Sequence, residues 1–132
     1  MSESVDPLGH IKLSVRDSKI SKEFYKKIFN ELEWKKIDEG NLGAGWASQP
    51  GFGFWIKEAE HREPEYKFAS PGIHHFCFKA KTSTEVDKFY EFLLKEKILI
   101  LDKPQSYPEY TKDYYAVFFS DPDGIKLELA YY

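Results

Sequence analysis

The sequence predicts an α+β fold of two repeated β-α-β-β-β modules, expected to form one curved eight-stranded mixed sheet with helices on its convex side. Three observations predict it. Gly9–Val15 and Gly72–Ala80 both alternate polar and apolar residues, the pattern of a strand with one buried face. Each is followed by a stretch of helical period. Laying residues 10–29 over 75–94 at a constant offset of 65 needs no gap and returns four identities, His10/His75, Ser18/Ser83, Phe24/Phe89 and Tyr25/Tyr90. The apolar positions match too: Ile11/Phe76, Leu13/Phe78, Val15/Ala80, Ile28/Leu93 and Phe29/Leu94.

In the first strand His10, Lys12 and Ser14 share one face, with Ile11, Leu13 and Val15 on the other. Asp17 or Ser18 can cap the helix that follows, because a side-chain oxygen there accepts from free N–H groups of the first turn. Ile20, Phe24, Ile28 and Leu32, with Tyr25 and Phe29 beside them, mark its apolar side. Short strands are expected at Trp34–Asp38 and Gly45–Ser48. Gln49–Pro50–Gly51 is a turn, and Phe52–Lys57 alternates again. Glu58 through Pro71 has charges, prolines and no period, so it reads as a linker between module 1 (about 9–57) and module 2 (about 72–132) of a single domain spanning 1–132.

The second strand of this kind, 73–80, turns His75, Cys77 and Lys79 to one face and Phe76, Phe78 and Ala80 to the other. Thr82–Ser83–Thr84–Glu85 is a capping-box pattern, and Val86, Phe89, Tyr90, Leu93 and Leu94 form the apolar side of a second helix. Ile98–Leu101 is an expected strand and Lys103–Tyr110 a loop, broken by Pro104 and Pro108. Tyr114–Phe119 and Ile125–Tyr132 are strands joined by Asp121–Pro122–Asp123–Gly124. Ser120 is expected opposite Ile125, which sets Val117 opposite Glu128 and puts Tyr115, Val117 and Phe119 on one face.

Composition bounds the function. At 132 residues and 42% hydrophobic, the chain can bury a core without staples. A net charge of −3 with both signs interspersed argues against a nucleic-acid partner, because phosphate binding needs a basic face. The single cysteine fits a reducing compartment. Met1 to Leu8 carries Glu3 and Asp6 and no apolar run, so no signal peptide is expected, and no stretch is long enough to span a membrane. A cytoplasmic location and a small-molecule partner are the expectations.

In the last strand Ile125, Leu127 and Leu129 face the core, so Glu128 shares the polar face with the histidines. If the modules share one sheet, His10, His75 and Glu128 line its concave side. Two imidazoles and one carboxylate, with positions left open, are what a catalytic divalent metal needs. Registration with His10 selects His75 over His74. Parity adds Lys12, Ser14, Gly53, Cys77, Lys79 and Lys126 to the same side. Tyr115 is the candidate proton donor or orienting group; Tyr107, Tyr110 and Tyr114 sit by a loop placed to cover the cleft. Matching the final hairpins of the two copies sets Trp55 on Glu128.

The runs His10–Ile–Lys–Leu–Ser–Val–Arg–Asp, Phe24–Tyr25, Gly72–Ile–His–His75 and Phe119–Ser–Asp–Pro–Asp–Gly–Ile–Lys–Leu–Glu128 resemble the vicinal oxygen chelate superfamily of glyoxalases, bleomycin-resistance proteins and extradiol dioxygenases. The resemblance covers residues 9–132. It implies a cupped sheet whose first and last strands in each module supply ligands for one divalent metal (Mn, Fe, Ni or Zn), at His10, Trp55, His75 and Glu128. Trp55 departs from the pattern. An indole cannot coordinate a metal, so three ligands remain, as in fosfomycin-modifying enzymes and extradiol dioxygenases, and Trp55 becomes a pocket wall. The resemblance also implies a homodimer. The expected function is a divalent-metal-dependent enzyme acting on a small substrate chelated through two oxygens, with a glyoxalase-like lyase as its label. The alternatives are an epoxide-opening transferase, an extradiol dioxygenase, and a metal-free cup that binds a drug.

Overall fold

Alternation and capping chemistry produce the expected elements with shifted ends. The structure is a computed structural model describing residues 7–132. It divides into two compact units, the first ending at Pro64 and the second running Glu65–Tyr132. The first holds β1 (His10–Val15), α1 (Ser18–Glu31), β2 (Lys35–Glu39), β3 (Gly43–Ala47) and β4 (Gly53–Glu58). The second holds β5 (Phe76–Ala80), α2 (Ser83–Lys95), β6 (Ile100–Ser106), β7 (Tyr115–Ser120) and β8 (Lys126–Tyr131). The α+β architecture of two β-α-β-β-β modules is therefore present. The eight strands divide into two ladders of four, in the orders β1-β4-β3-β2 and β5-β8-β7-β6. β1/β4 and β5/β8 pair parallel and the other neighbours antiparallel.

Each helix covers one face of its own sheet. Asp17 is the cap of α1, its Oδ1 accepting from the N–H groups of Lys19 and Ile20 at 3.0 and 3.3 Å. Glu58 at the end of β4 adds an acceptor for the Ser18 N–H at 3.1 Å, so β4 and the helix start are tied together. The buried stripe of α1 runs through Ser18, Ser21, Tyr25, Ile28 and Phe29. It is rotated from the expected stripe, and Ile20 is exposed. Phe29 is the reason: its ring lies 5.0 Å from Trp46 and 5.1 Å from Phe54, so the sheet's rings set the helix face. On the same buried stripe the Ser21 hydroxyl has no hydrogen-bond partner. Ser21→Ala should therefore stabilise the protein by about 1 kcal/mol, read as a higher urea midpoint at unchanged slope.

In the second unit, Thr82 caps α2 by accepting from the Glu85 N–H at 3.1 Å. The Glu85 carboxylate reaches past Thr82 to the Lys81 N–H at 2.7 Å, a capping box extended by one residue. Val86, Phe89 and Leu93 pack on Phe78, Val117, Phe119, Leu127 and Leu129, all buried, with the Phe89 and Phe119 rings 5.4 Å apart.

Two expectations are corrected. The strand after α2 continues to Ser106, through Pro104. Pro104 is tolerated because β6 is an edge strand and its register shifts between Asp102 and Gln105, where no ladder bond is lost. The β7–β8 register also differs: Ser120 lies opposite Lys126, and Phe118, not Val117, lies opposite Glu128. Asp121 explains the shift. Its Oδ1 accepts from the N–H groups of Asp123 and Ile125, both at 2.8 Å, and its own N–H bonds the Ile125 carbonyl at 3.0 Å. Ile125 is thereby drawn into the turn, and a one-residue slip turns every β7 side chain to the other face. The expectations for positions 1–6 fall outside the described residues. No helix among those described is long and apolar enough to cross a membrane.

Candidate metal centre

In the second unit, β5 and β8 run parallel with Cys77 opposite Glu128. Leu127 and Leu129 face α2, so Glu128 points from the other face, where it is 1% exposed. A carboxylate so thoroughly removed from water needs donors or a cation. Two groups meet it. The Tyr114 hydroxyl donates to Oε2 at 2.5 Å, and the His75 Nε2 lies 3.2 Å from Oε1. His75 precedes β5 by one residue, and its Nδ1 lies 2.8 Å from the Nδ1 of His74. The phenol group of Tyr114 is held well above its usual titration range, first by burial and then by its bond to Glu128, so it keeps its proton and donates.

The tyrosine beside the carboxylate is therefore Tyr114. Tyr115, the expected candidate, lies on the helix side and donates to Asp87 Oδ1 of α2 at 2.6 Å. The register slip at Asp121 is the physical cause, and a tyrosine at either position gave the sequence no means of choosing. Tyr107, Tyr110 and Tyr114 do gather, together with Phe118. Tyr107 stacks on Tyr110 at 5.3 Å and meets Tyr114 at 6.1 Å and Phe118 at 5.7 Å. Ala116, Phe118 and Ala130 are the buried floor of this face, with Cys77, Tyr107 and Tyr114 packed against it.

Cys77 is half-buried in this apolar patch. Burial first, then the Glu128 charge, pushes its thiol from 9.0 up to about 12. At pH 8 its thiolate is then roughly 1,000-fold scarcer than that of an ordinary thiol. Metal-free protein should accordingly be alkylated by iodoacetamide more than about 10-fold more slowly than a free thiol, since the greater nucleophilicity of a high-pKa thiolate offsets only part of its scarcity; mass spectrometry reads the rate.

In the first unit, His10 opens β1 opposite Gly53, and Lys12 lies opposite Trp55. His10, Lys12 and Trp55 thus share the face turned away from α1. The Trp55 indole lies across Gly45, where any Cβ would come within 2.6 Å of its ring, and a Cβ on Gly53 would meet both Trp55 Nε1 and His10 Cβ at 3.1 Å. These two glycines are the clearance that lets a large ring lie flat beside His10. Trp55 offers no lone pair to a metal, so it is not a ligand.

The donor set suits a divalent metal. Nε2 of His75 and Oε1 of Glu128 are 3.2 Å apart. Two ligand atoms at the usual bond lengths around a tetrahedral or octahedral ion lie about 3.0 to 3.4 Å apart. The other atom of each group, His75 Nδ1 and Glu128 Oε2, is already engaged by a neighbour. Among the described residues no group of three or more His, Cys, Asp and Glu side chains suited to a metal is formed, so the assembled centre consists of two donors.

Comparison with known proteins agrees with the fold. The chain is 31% identical over 123 residues to YqjT of Bacillus subtilis (strain 168), an uncharacterized protein, covering 92% of this chain and 96% of that one. It is 29% identical over 130 residues to FosB of Lysinibacillus sphaericus (strain C3-41), a metallothiol transferase, covering 95% and 82%. The crystal structure of a glyoxylase/bleomycin resistance protein/dioxygenase domain from Frankia sp. EAN1pec superposes with a TM-score of 0.77 at 26% identity, covering 97% and 93%. The sequence pattern of the Glyoxalase/Bleomycin resistance protein/Dioxygenase superfamily matches residues 7–129, and the chain belongs to that superfamily.

Proposed function

We propose that this protein is a divalent-metal-dependent enzyme acting on a small oxygen-bearing substrate, with His10, His75 and Glu128 as its ligands. The observation that carries the proposal is the contact of the solvent-reached His75 Nε2 with the buried Glu128 Oε1, at a separation fit for one ion. His10 is proposed as the third ligand on the repeat alone, since it matches His75 at the constant offset of 65. A metal held there supplies Lewis-acid polarisation of substrate oxygens. Glu128 supplies the anionic ligand, Tyr114 holds its outer oxygen, and Trp55 gives an apolar wall beside His10. Lys12, exposed on the same face as Trp55, can meet an anionic substrate group.

Within this class, transfer of a thiol to an epoxide is the reaction we favour, supported by the likeness to FosB over nearly the whole chain. In that reaction the sulfur bonds one epoxide carbon, the C–O bond breaks, and the oxygen keeps the electron pair and takes a proton. The missing fourth ligand at Trp55 counts against the glyoxalase-like lyase. The experiment is elemental analysis of protein purified without a metal-affinity tag, followed by assays of metal-loaded protein. Expected are one metal per chain and metal-dependent consumption of thiol with an epoxide. Isomerisation of a 2-oxoaldehyde–thiol adduct would instead mark a lyase, and ring opening of a catechol a dioxygenase. Absence of stoichiometric metal would leave the drug-binding cup. We also propose a homodimer; a monomeric mass by light scattering would overturn it.

A further inference from the structure

The helix of the first unit leaves part of its sheet uncovered. Phe29 seats α1 on Trp46 of β3 and Phe54 of β4, strands inward of the edge strand β2. Lys36 of β2 lies opposite Trp46 in the ladder, so its side chain stands on the helix side of the sheet. All five residues of β2 are exposed. Between this strand and the flank of α1 is a cavity of about 420 Å³, floored by Trp46, which is 2% exposed. A space of that size takes a small molecule rather than a single ion.

Its walls are basic. Lys19, Lys22 and Lys26 recur at i, i+3 and i+7, along one edge of the helix, and Lys36 lines the same cavity from β2. Glu23 and Glu39 are there too, and four lysines against two glutamates leave +2, in a chain whose net charge is −3. Glu39 is already paired with Lys36. Among the described residues no carboxylate comes within ion-pair distance of the Lys19, Lys22 or Lys26 ammonium group. Like charges at this spacing repel and weaken a helix, and Glu23 offsets only one of the three.

Lys22 is not a loose surface chain. Its Nζ donates to the carbonyl oxygens of Gly40 and Asn41, at 2.7 and 3.2 Å, across the turn between β2 and β3. Those bonds hold the ammonium at the cavity without neutralising it. Of its three donors one remains. Because the side chain is already ordered, little freedom is left to lose when it meets a ligand.

We propose that this cavity binds a small molecule through a phosphate group. A phosphate monoester carries about two negative charges at neutral pH and three strong acceptor oxygens. These match the cavity's charge and the open donors of Lys19, Lys22 and Lys26. The remaining volume takes the body of the molecule. The site is on the helix side of the first sheet, the opposite face from His10, Lys12 and Trp55, and is independent of the metal reading. A ligand held there ties α1 to β2 and stabilises the first unit.

The test uses full-length protein labelled with nitrogen-15 and titrated with glycerol 3-phosphate, with glycerol and with sodium chloride at matched ionic strength as controls. Expected are saturable amide shifts at 19–26 and 36–41 with the phosphate and with neither control. The urea midpoint read by tryptophan emission should rise with the same ligand. Lys19→Gln with Lys26→Gln should weaken binding about 10-fold, as loss of charge-assisted hydrogen bonds predicts. Lys88→Gln with Lys95→Gln removes the same charge from α2 and should leave the affinity unchanged. Equal weakening by both pairs, no saturable shift, or the same shifts with sodium chloride would overturn the site. An equal affinity for succinate would overturn the choice of phosphate.

Discussion

Glu128→Gln is expected to abolish metal-dependent stabilisation while preserving the fold. The amide has the shape of the carboxylate, and its carbonyl oxygen can still accept from Tyr114. What it loses is the negative charge that makes Oε1 a ligand next to His75 Nε2. A site filled at 100 times its dissociation constant stabilises a protein by about 2.7 kcal/mol. For a chain of this size that is roughly a 10 °C rise in melting temperature. Differential scanning fluorimetry with Mn²⁺, Ni²⁺ or Zn²⁺ should show that rise in the native protein and less than about 1 °C in the variant. An equal rise in both would sink Glu128 as a ligand. His75→Ala should behave like Glu128→Gln, and the separation of His75 from His74 rests on His74→Ala keeping the rise.

Asp121→Ala is the second large expected effect, and it bears on stability. Asp121 is 5% exposed, and its Oδ1 accepts two backbone N–H groups at 2.8 Å each. Alanine leaves both donors unmet in a turn that sets the register of β7 on β8. Hydrogen bonds to a charged acceptor are worth about 1.5 to 3 kcal/mol each, and the two share one oxygen. A loss of about 3 kcal/mol is expected in urea unfolding. Asp121→Asn keeps the acceptor and should lose less than half of this. A neutral result for alanine would show that the backbone bond between Asp121 and Ile125 closes the turn unaided.

The parts of this protein that follow from periodicity were legible in its sequence. Alternation in Gly9–Val15 and Phe76–Ala80, repeated at a fixed offset, gave the modules, and the odd–even rule in β8 suffices to set Glu128 opposite the core face. The choice between Tyr114 and Tyr115 was not legible, because it depends on whether Ile125 belongs to the strand or the turn. That is decided by one oxygen of Asp121. The strand through Pro104 was hidden for another reason: proline rules out a central strand but not a bulged edge, and edge status is a property of the whole ladder. The stripe on α1 turned because ring-on-ring packing with Trp46 and Phe54 outweighs the burial of Ile20. Each miss was a tertiary contact overriding a local pattern.

The ring that lies flat across Gly45 has a practical consequence. All three tryptophans, Trp34, Trp46 and Trp55, belong to the first unit, and eight of the nine tyrosines to the second. Each half of the duplication thus carries its own chromophore. Indole emission during denaturation follows the first module, the phenol absorbance band is dominated by the second, and neither needs a label. Coincidence of the two curves tests directly whether the repeats melt as one cooperative body.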